Sequence, residues 1–379
     1  GQYLKNRTRY APGEFEFTTT TWGTWLQDEI TLGKLTLRPG VRVDSDDYMD
    51  KTTWAPRFSL EYDVFGDRTT LFSAGANRYY GRSVTSWQLQ DGRNRLRFNE
   101  SRASLDAPWI TKSNGTNQTR FNQLDIPYDD ELMLGVVQQW AGIEYGLKYV
   151  NRKGRDQVVQ VSGRALGEPS TDPTLASNYT TYTNDGKSET DTYTLTVTPM
   201  QRWTLLGTQT GGQLALNWTD SKASSPTYVD ADDLYYQNNV IQYQGSFINY
   251  ADRPATNFNR PWTARLTTIT DIPQANLQWS NFWRYRAGYK RIGDTGRNVD
   301  YMGTSVDVWE EQKFDAALTW DTRLGWRIPT ARDQAIFVNV DVFNVLDKKS
   351  VNANATVNSN SVSTYEVGRQ YWLEVGYTF

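Results

Sequence analysis

The chain closes on Gln370-Tyr371-Trp372-Leu373-Glu374-Val375-Gly376-Tyr377-Thr378-Phe379, and the spacing inside this stretch decides the fold. Tyr371, Leu373, Val375, Tyr377 and Phe379 recur at every second position. Gln370, Glu374, Gly376 and Thr378 fall between them, together with Trp372. Period two is the mark of a strand with two unlike faces. The alternation continues upstream. Residues 335–343 set Ile336, Val338, Val340 and Val342 against Asn339 and Asp341. Residues 314–327 set Phe314, Ala316, Leu318, Trp320, Leu324 and Trp326 against Asp315, Thr319, Asp321, Arg323 and Arg327. Residues 276–290 set Leu277, Trp279, Trp283, Tyr285 and Tyr289 against Gln278, Ser280, Arg284, Arg286 and Lys290.

Similar segments fall near 16–29, 35–46, 53–64, 69–80, 129–140, 143–153, 188–199, 209–221 and 262–271, which with these four makes 13 strands. Each has about the 9–11 residues, or slightly more, that a tilted strand needs to cross a bilayer. Short turns near 31–34, 65–68, 141–142, 271–275 and 328–333, with a less regular one at 199–206, alternate with long polar loops near 81–128, 154–187, 222–261, 291–313 and 345–366. The connection at 47–52 is short. Two classes of loop at opposite ends of the strands, with Trp140, Trp262, Trp326 and Tyr377 at strand ends, fit a transmembrane barrel with interfacial aromatics. A soluble sandwich has no reason to sort its loops in this way.

Composition agrees with that fold and narrows the function. Of 379 residues only 38% are hydrophobic, while Trp and Tyr number 15 and 23. A barrel hides its lipid face in alternate residues, so its average hydropathy resembles that of a soluble protein. With no Cys there is neither a disulfide nor a thiolate metal site, and with no His the commonest catalytic base and metal ligand are missing. No enzyme and no bound cofactor are expected. A net charge of −3 offers nothing to nucleic acid. Arg42, Glu61, Asp63, Glu144, Lys148, Arg265, Arg284, Arg286, Asp321, Arg323 and Glu374 sit on the face away from lipid. Charges there imply a wide lumen filled with water or protein.

Three motifs resemble the C-terminal half of TonB-dependent receptor barrels. They are Trp22-Gly23-Thr24-Trp25-Leu26-Gln27-Asp28-Glu29-Ile30 with Leu35-Thr36-Leu37-Arg38-Pro39-Gly40-Val41-Arg42, then Val340-Asp341-Val342-Phe343-Asn344-Val345-Leu346-Asp347, and the closing strand from Gly368 to the terminal Phe379. The resemblance covers essentially all 379 residues as barrel. It implies an all-β fold, a transmembrane antiparallel barrel of about 22 strands of which these are the last 13. It further implies that an N-terminal plug and the first strands lie outside this chain, since an odd set of strands is an open sheet with two edges. The rival, a fourteenth strand from residues 2–10, lacks a lipid-facing apolar row in Tyr3-Leu4-Lys5-Asn6-Arg7-Thr8-Arg9-Tyr10.

The same resemblance implies outer-membrane lipid as the surroundings, TonB as a partner reached through the missing part, and a small-molecule cargo. It makes Tyr371, Leu373, Val375, Tyr377 and Phe379 the signal read by the barrel-assembly machinery, beside their plainer role of facing lipid. Cargo contacts are expected from the external loops, with Arg78, Tyr79, Tyr80, Arg82 and Trp87 at the longest loop and Tyr235 and Tyr236 in a Tyr-rich one. Arginine supplies forked donors for anionic chelates and aromatics supply flat apolar contact. A solvated loop explains the same residues more plainly. Asp230, Asp232 and Asp233 lack a calcium-loop spacing. Haem receptors of the family usually carry a His that this chain lacks, which argues against that subtype, although Tyr could ligate haem iron instead. A ferric siderophore or similar metal chelate, being anionic, suits the arginine and aromatic residues and is the expected cargo. The alternatives are a passive porin-like channel and a surface receptor for a host or partner protein.

Overall fold

The computed structural model describes residues 4–16, 18–47, 49–81, 96–114, 117–119, 124–163, 166–168, 170–171, 175–223, 240–250, 261–331, 334–350 and 365–379. Its strands run in chain order as β1 (Asn6–Tyr10), β2 (Thr21–Gln27), β3 (Ile30–Leu32), β4 (Leu35–Asp46), β5 (Lys51–Asp63), β6 (Thr70–Tyr80), β7 (Arg97–Ser101) and β8 (Ile110–Asn114). Then come β9 (Asn117–Thr119), β10 (Tyr128–Trp140), β11 (Ile143–Ser162), β12 (Leu175–Pro199), β13 (Trp203–Leu205), β14 (Thr208–Ala223), β15 (Val240–Tyr243) and β16 (Ser246–Asn249). The last are β17 (Trp262–Ile272), β18 (Leu277–Arg286), β19 (Tyr289–Tyr301), β20 (Thr304–Phe314), β21 (Ala317–Pro329), β22 (Ala335–Phe343) and β23 (Gln370–Thr378).

One antiparallel wall dominates, in the order β2-β4-β5-β6-β10-β11-β12-β14-β17-β18-β21-β22-β23. These 13 strands are the ones the alternation picks out. Among the described residues the wall does not close, because β2 pairs only with β4 and β23 only with β22. Tight turns join the strands at one end. At Ala141-Gly142 and Leu206-Gly207 both residues have positive φ, 52° and 75° then 50° and 77°. Two such residues give the hairpin turn whose twist matches the strands it joins.

Directly opposed residues share a face, so the register fixes which side chains stand together. On one face Leu147, Leu195, Leu216 and Ala264 follow one another across β11, β12, β14 and β17. One step along, Tyr149, Tyr193, Trp218 and Trp262 form an aromatic row with ring centroids 4.8, 5.1 and 6.4 Å apart. From Trp218 to Thr208 at the opposite end of β14, ten steps of about 3.3 Å at a tilt of about 40° cover roughly 25 Å, the height of a barrel's apolar band. Tyr193, Leu266, Tyr285, Leu318, Leu324 and Val340 on this face are all exposed. An apolar surface of that extent needs a non-aqueous neighbour, and here the neighbour is lipid. The opposite face carries Glu61, Lys148, Arg265, Arg284, Arg323 and Glu374.

Four expectations change. The strand near 276–290 ends at Arg286, and the one near 314–327 begins at Ala317. Tyr289 and Phe314 therefore leave the lipid row. They stack on each other at 4.5 Å and 6° at the base of a β19–β20 hairpin, where both are buried. The segment near 16–29 starts at Thr21 and breaks after Gln27. The long connections are not bare loops. β11 and β12 extend beyond the bilayer span, β1, β7 and β8 form a three-stranded sheet, and β15, β16, β19 and β20 form one of four strands. Residues 6–10 do form a strand, but β1 pairs with β7 in that small sheet and adds nothing to the wall.

Candidate functional site

The external end of β6 carries Asn77-Arg78-Tyr79-Tyr80, and alternation divides it. Asn77 and Tyr79 stand on the polar face; Arg78 and Tyr80 stand on the other. Arg57, Asn77, Glu131 and Arg152 form one directly opposed row across β5, β6, β10 and β11. Glu131 accepts from Arg152 at 2.5 Å, and from Asn77 Nδ2 and the Tyr79 hydroxyl at 3.4 Å each. The Tyr79 ring lies between two guanidiniums, Arg57 at 5.2 Å and Arg152 at 5.8 Å from its centroid. Arg152 is neutralised by Glu131. Arg57 has no carboxylate partner among the described residues and keeps its fork of donors free above an aromatic plate. This arrangement can receive an anionic oxygen beside a flat apolar group.

Arg78 and Tyr80 do different work. Arg78 donates through Nε and Nη2 to the two oxygens of Asp130, at 2.7 and 2.9 Å, and its guanidinium lies 4.1 Å from the Tyr128 ring centroid. Tyr80 packs on Tyr128 at 5.4 Å and against the small core of Met49, Leu124, Ile126, Val158 and Tyr182. The two residues thus brace the external rim, on the face away from Tyr79. Three consecutive strand residues cannot all converge on one ligand, because the side-chain period is two. Arg82, Trp87, Tyr235 and Tyr236 lie outside the described residues, as do Asp230, Asp232 and Asp233. In the Tyr-rich region the described rings pack within the external sheet, Phe247 on Tyr301 at 4.4 Å and Tyr250 on Trp309 at 5.2 Å.

The closing strand presents Tyr371, Leu373, Val375 and Tyr377 on the lipid face, opposite Val342, Val340, Val338 and Ile336. The turn before it is built by Asn344, whose φ is 51°. Its backbone N–H donates to Asp321 Oδ1 at 2.7 Å, its amide donates to the Lys348 and Val367 carbonyls at 3.1 and 3.3 Å, and its Oδ1 accepts from Lys348 N–H at 3.0 Å. Asp347 Oδ1 accepts from Arg369 N–H at 3.0 Å. The Asn-Val-Leu-Asp stretch is thereby a clasp between β21, β22 and the segment leading into β23.

No protein-family profile matches the chain. A protein of Escherichia coli K12 named YddB is 29% identical over 381 residues, covering 99% of this chain and 45% of YddB. The crystal structure of the outer membrane transporter YddB from Escherichia coli superposes with a TM-score of 0.77 at 27% identity, over 97% of this chain and 46% of that one. The ferric enterobactin receptor PfeA of Pseudomonas aeruginosa superposes at 0.57 with 13% identity, over 95% and 45% of the two chains. The ferripyoverdine receptor of the outer membrane of the same species gives 0.54 at 12%, over 94% and 38%. The chain spans less than half the length of these relatives.

The wall has the fold of the β-barrels of outer-membrane transporters and receptors, over part of their circumference. The apolar face is its lipid face and the polar face its luminal one.

Proposed function

We propose that this wall belongs to a receptor that imports a scarce nutrient, energised through TonB, and that its cargo is a ferric siderophore or similar anionic metal chelate. The observation that carries the reading is Arg57 with a free guanidinium on the luminal face at the external mouth, stacked on Tyr79 and flanked by Glu131 and Arg152. A passive channel needs a wet wall but has no use for an aromatic plate held between two cations. In the whole protein a plug and further strands meet the open edges at β2 and β23, and TonB acts through that part. Tyr371, Leu373, Val375, Tyr377 and Phe379 serve the barrel-assembly machinery as well as lipid.

Deleting the gene is expected to abolish growth on one class of ferric chelate as sole iron source. Arg57→Gln and Tyr79→Ala in the intact receptor should each weaken binding of that chelate about tenfold, as loss of a charged hydrogen bond or aromatic contact of ~1.5 kcal/mol predicts. Unchanged growth of the deletion strain on every iron source would remove import of iron chelates from consideration.

A further inference from the structure

We infer that Thr263, Arg265, Arg284 and Arg286 form a second, separate site on the luminal wall, one that takes a carboxylate- or phosphate-type oxyanion. The inference uses the luminal orientation of this face but not the identity of the cargo. On β17 and β18, Thr263 is directly opposite Arg286 and Arg265 directly opposite Arg284. The four residues make a compact block near the external end of both strands, on the face that carries no lipid contact.

Two facts about the block point to an anion. First, Arg265 and Arg284 are like charges in a directly opposed pair, an arrangement that destabilises a sheet unless something of opposite charge lies between them. The row continues with Ala215 on β14 and Thr319 on β21, neither of which is charged. Neither arginine has a carboxylate partner among the described residues. Asp321, one step away on β21, accepts from Asn344 N–H, and Glu366 is engaged by Arg286. Second, Arg284 Nε, Arg286 Nε and Thr263 Oγ1 are all buried and have no hydrogen-bond partner among the described residues. Buried donors without partners are rare in proteins, and three in one block of four residues mark a place where an acceptor is wanted. Planar guanidiniums in this number suit a bidentate oxyanion.

The anion can be free in solution or a carboxylate of the protein's own luminal segment, and one experiment separates the two. The intact protein, purified in detergent, is melted with and without inorganic phosphate, alongside an Arg265→Gln, Arg284→Gln pair and an Arg265→Lys, Arg284→Lys pair. A phosphate-dependent rise in Tm of the native protein that vanishes in the Gln pair identifies a free anion. No response to phosphate, with the Gln pair melting several degrees lower and the Lys pair recovering most of the loss, identifies an internal carboxylate. The site is overturned when the Gln pair melts at or above the native temperature and phosphate moves neither protein, since removing the charges then only relieves repulsion. Should the Gln pair fail to assemble, the Lys pair decides. A response or stability weaker than native supports the site, because ammonium groups lack the fork, and identical melting with no phosphate effect overturns it. Loss of iron uptake has no bearing on these readouts, so failure of the import reading would be seen separately.

Discussion

Gln213 and Leu214 are neighbours on β14, yet they belong to different solvents. Leu214 lies between Val197 and Leu266 on the lipid face, while Gln213 donates to Thr198 Oγ1 at 3.1 Å on the luminal side. The two faces of the wall obey opposite rules. On the lipid face the chain tolerates hardly any unsatisfied polar group, because no water is there to satisfy it. On the luminal face it carries several arginines, two of them opposed with no carboxylate partner among the described residues. The difference teaches that the wall's stability resides mainly in the lipid-facing rows and the ladder, whereas the luminal rows are free to hold charge for use.

The sharpest way to break this comparison is to place the same charge on each neighbour. Leu214→Arg puts a guanidinium near the middle of the apolar band and is expected to cost about 2–4 kcal/mol. Gln213→Arg should cost well under about 1 kcal/mol, since the luminal side is wet. Unfolding of the intact protein in lipid vesicles measures both. Equal costs would mean that the faces have been assigned wrongly.

The Asn344 clasp comes next. Asn344→Ala removes two amide donations and one side-chain acceptance, and leaves a residue at φ 51° that alanine adopts poorly. At about 1 kcal/mol per net hydrogen bond the loss should be roughly 2–3 kcal/mol. Because the clasp feeds β23, the variant should also slow membrane assembly, read as accumulation of the unfolded, protease-sensitive form. Normal assembly and stability would show the turn to be dispensable.

Much of this was legible in the sequence, and the reason is locality. Each wall strand carries its own period of two, so all 13 could be found without knowing their neighbours. The lipid rows followed from the same parity. Parity also held a warning about the external mouth, because Arg78, Tyr79 and Tyr80 are consecutive and must diverge. What parity could not give is register. Arg57, Glu131 and Arg152 are far apart in sequence and meet Tyr79 only through the pairing of β5, β6, β10 and β11. Tyr289 and Phe314 failed for another reason. Each keeps the correct spacing past the end of its wall strand, so nothing in the alternation marks where β18 and β21 give way to the external hairpin. The pairing of β1 with β7 is non-local in the same sense and has no local signal.

The lipid face contains one apparent exception, and it makes the comparison quantitative. Asn281 stands in an apolar row of β18 but is buried beneath its neighbours. Its Oδ1 accepts from Trp320 Nε1 at 3.0 Å and from Thr322 Oγ1 at 2.9 Å, and its amide reaches Thr268 Oγ1 at 3.4 Å. Trp279 Nε1 donates to the same Thr322 hydroxyl at 2.9 Å. A polar group fully satisfied by side chains contributes little in either direction within a membrane, about 0.6 kcal/mol per bond. Asn281→Leu should therefore shift stability by about 1 kcal/mol or less, because the lost bonds are offset by removing an amide from lipid. A loss as large as that of Leu214→Arg would show that this polar knot is structurally central.

The smallest expected effect lies outside the bilayer, where water and salt moderate every charge. Glu100 on β7 is held below its ordinary value of 4.5, chiefly by the hydrogen bond from Arg7 and then by that from Arg9. The two Nε donors sit 2.6 and 3.1 Å from its oxygens. A lowered carboxylate pKa stabilises the folded arrangement fully above the unfolded value, and the contribution disappears as pH falls through the folded one. The β1–β7 pairing should thus loosen as the pH falls below 4.5 and through the lower folded value, while the wall, whose apolar rows do not titrate, keeps its pairing. Hydrogen exchange of the β1 and β7 amides, compared with those of β14 and β17, reads this directly. Glu100→Gln should abolish the pH dependence and leave β1 as loosely held at neutral pH as the native protein is in acid. Protection of β1 that is the same at both pH values would show that the small external sheet is held by its backbone ladder and the Arg7–Trp109 stack, at 4.2 Å, with the ion pairs contributing nothing measurable.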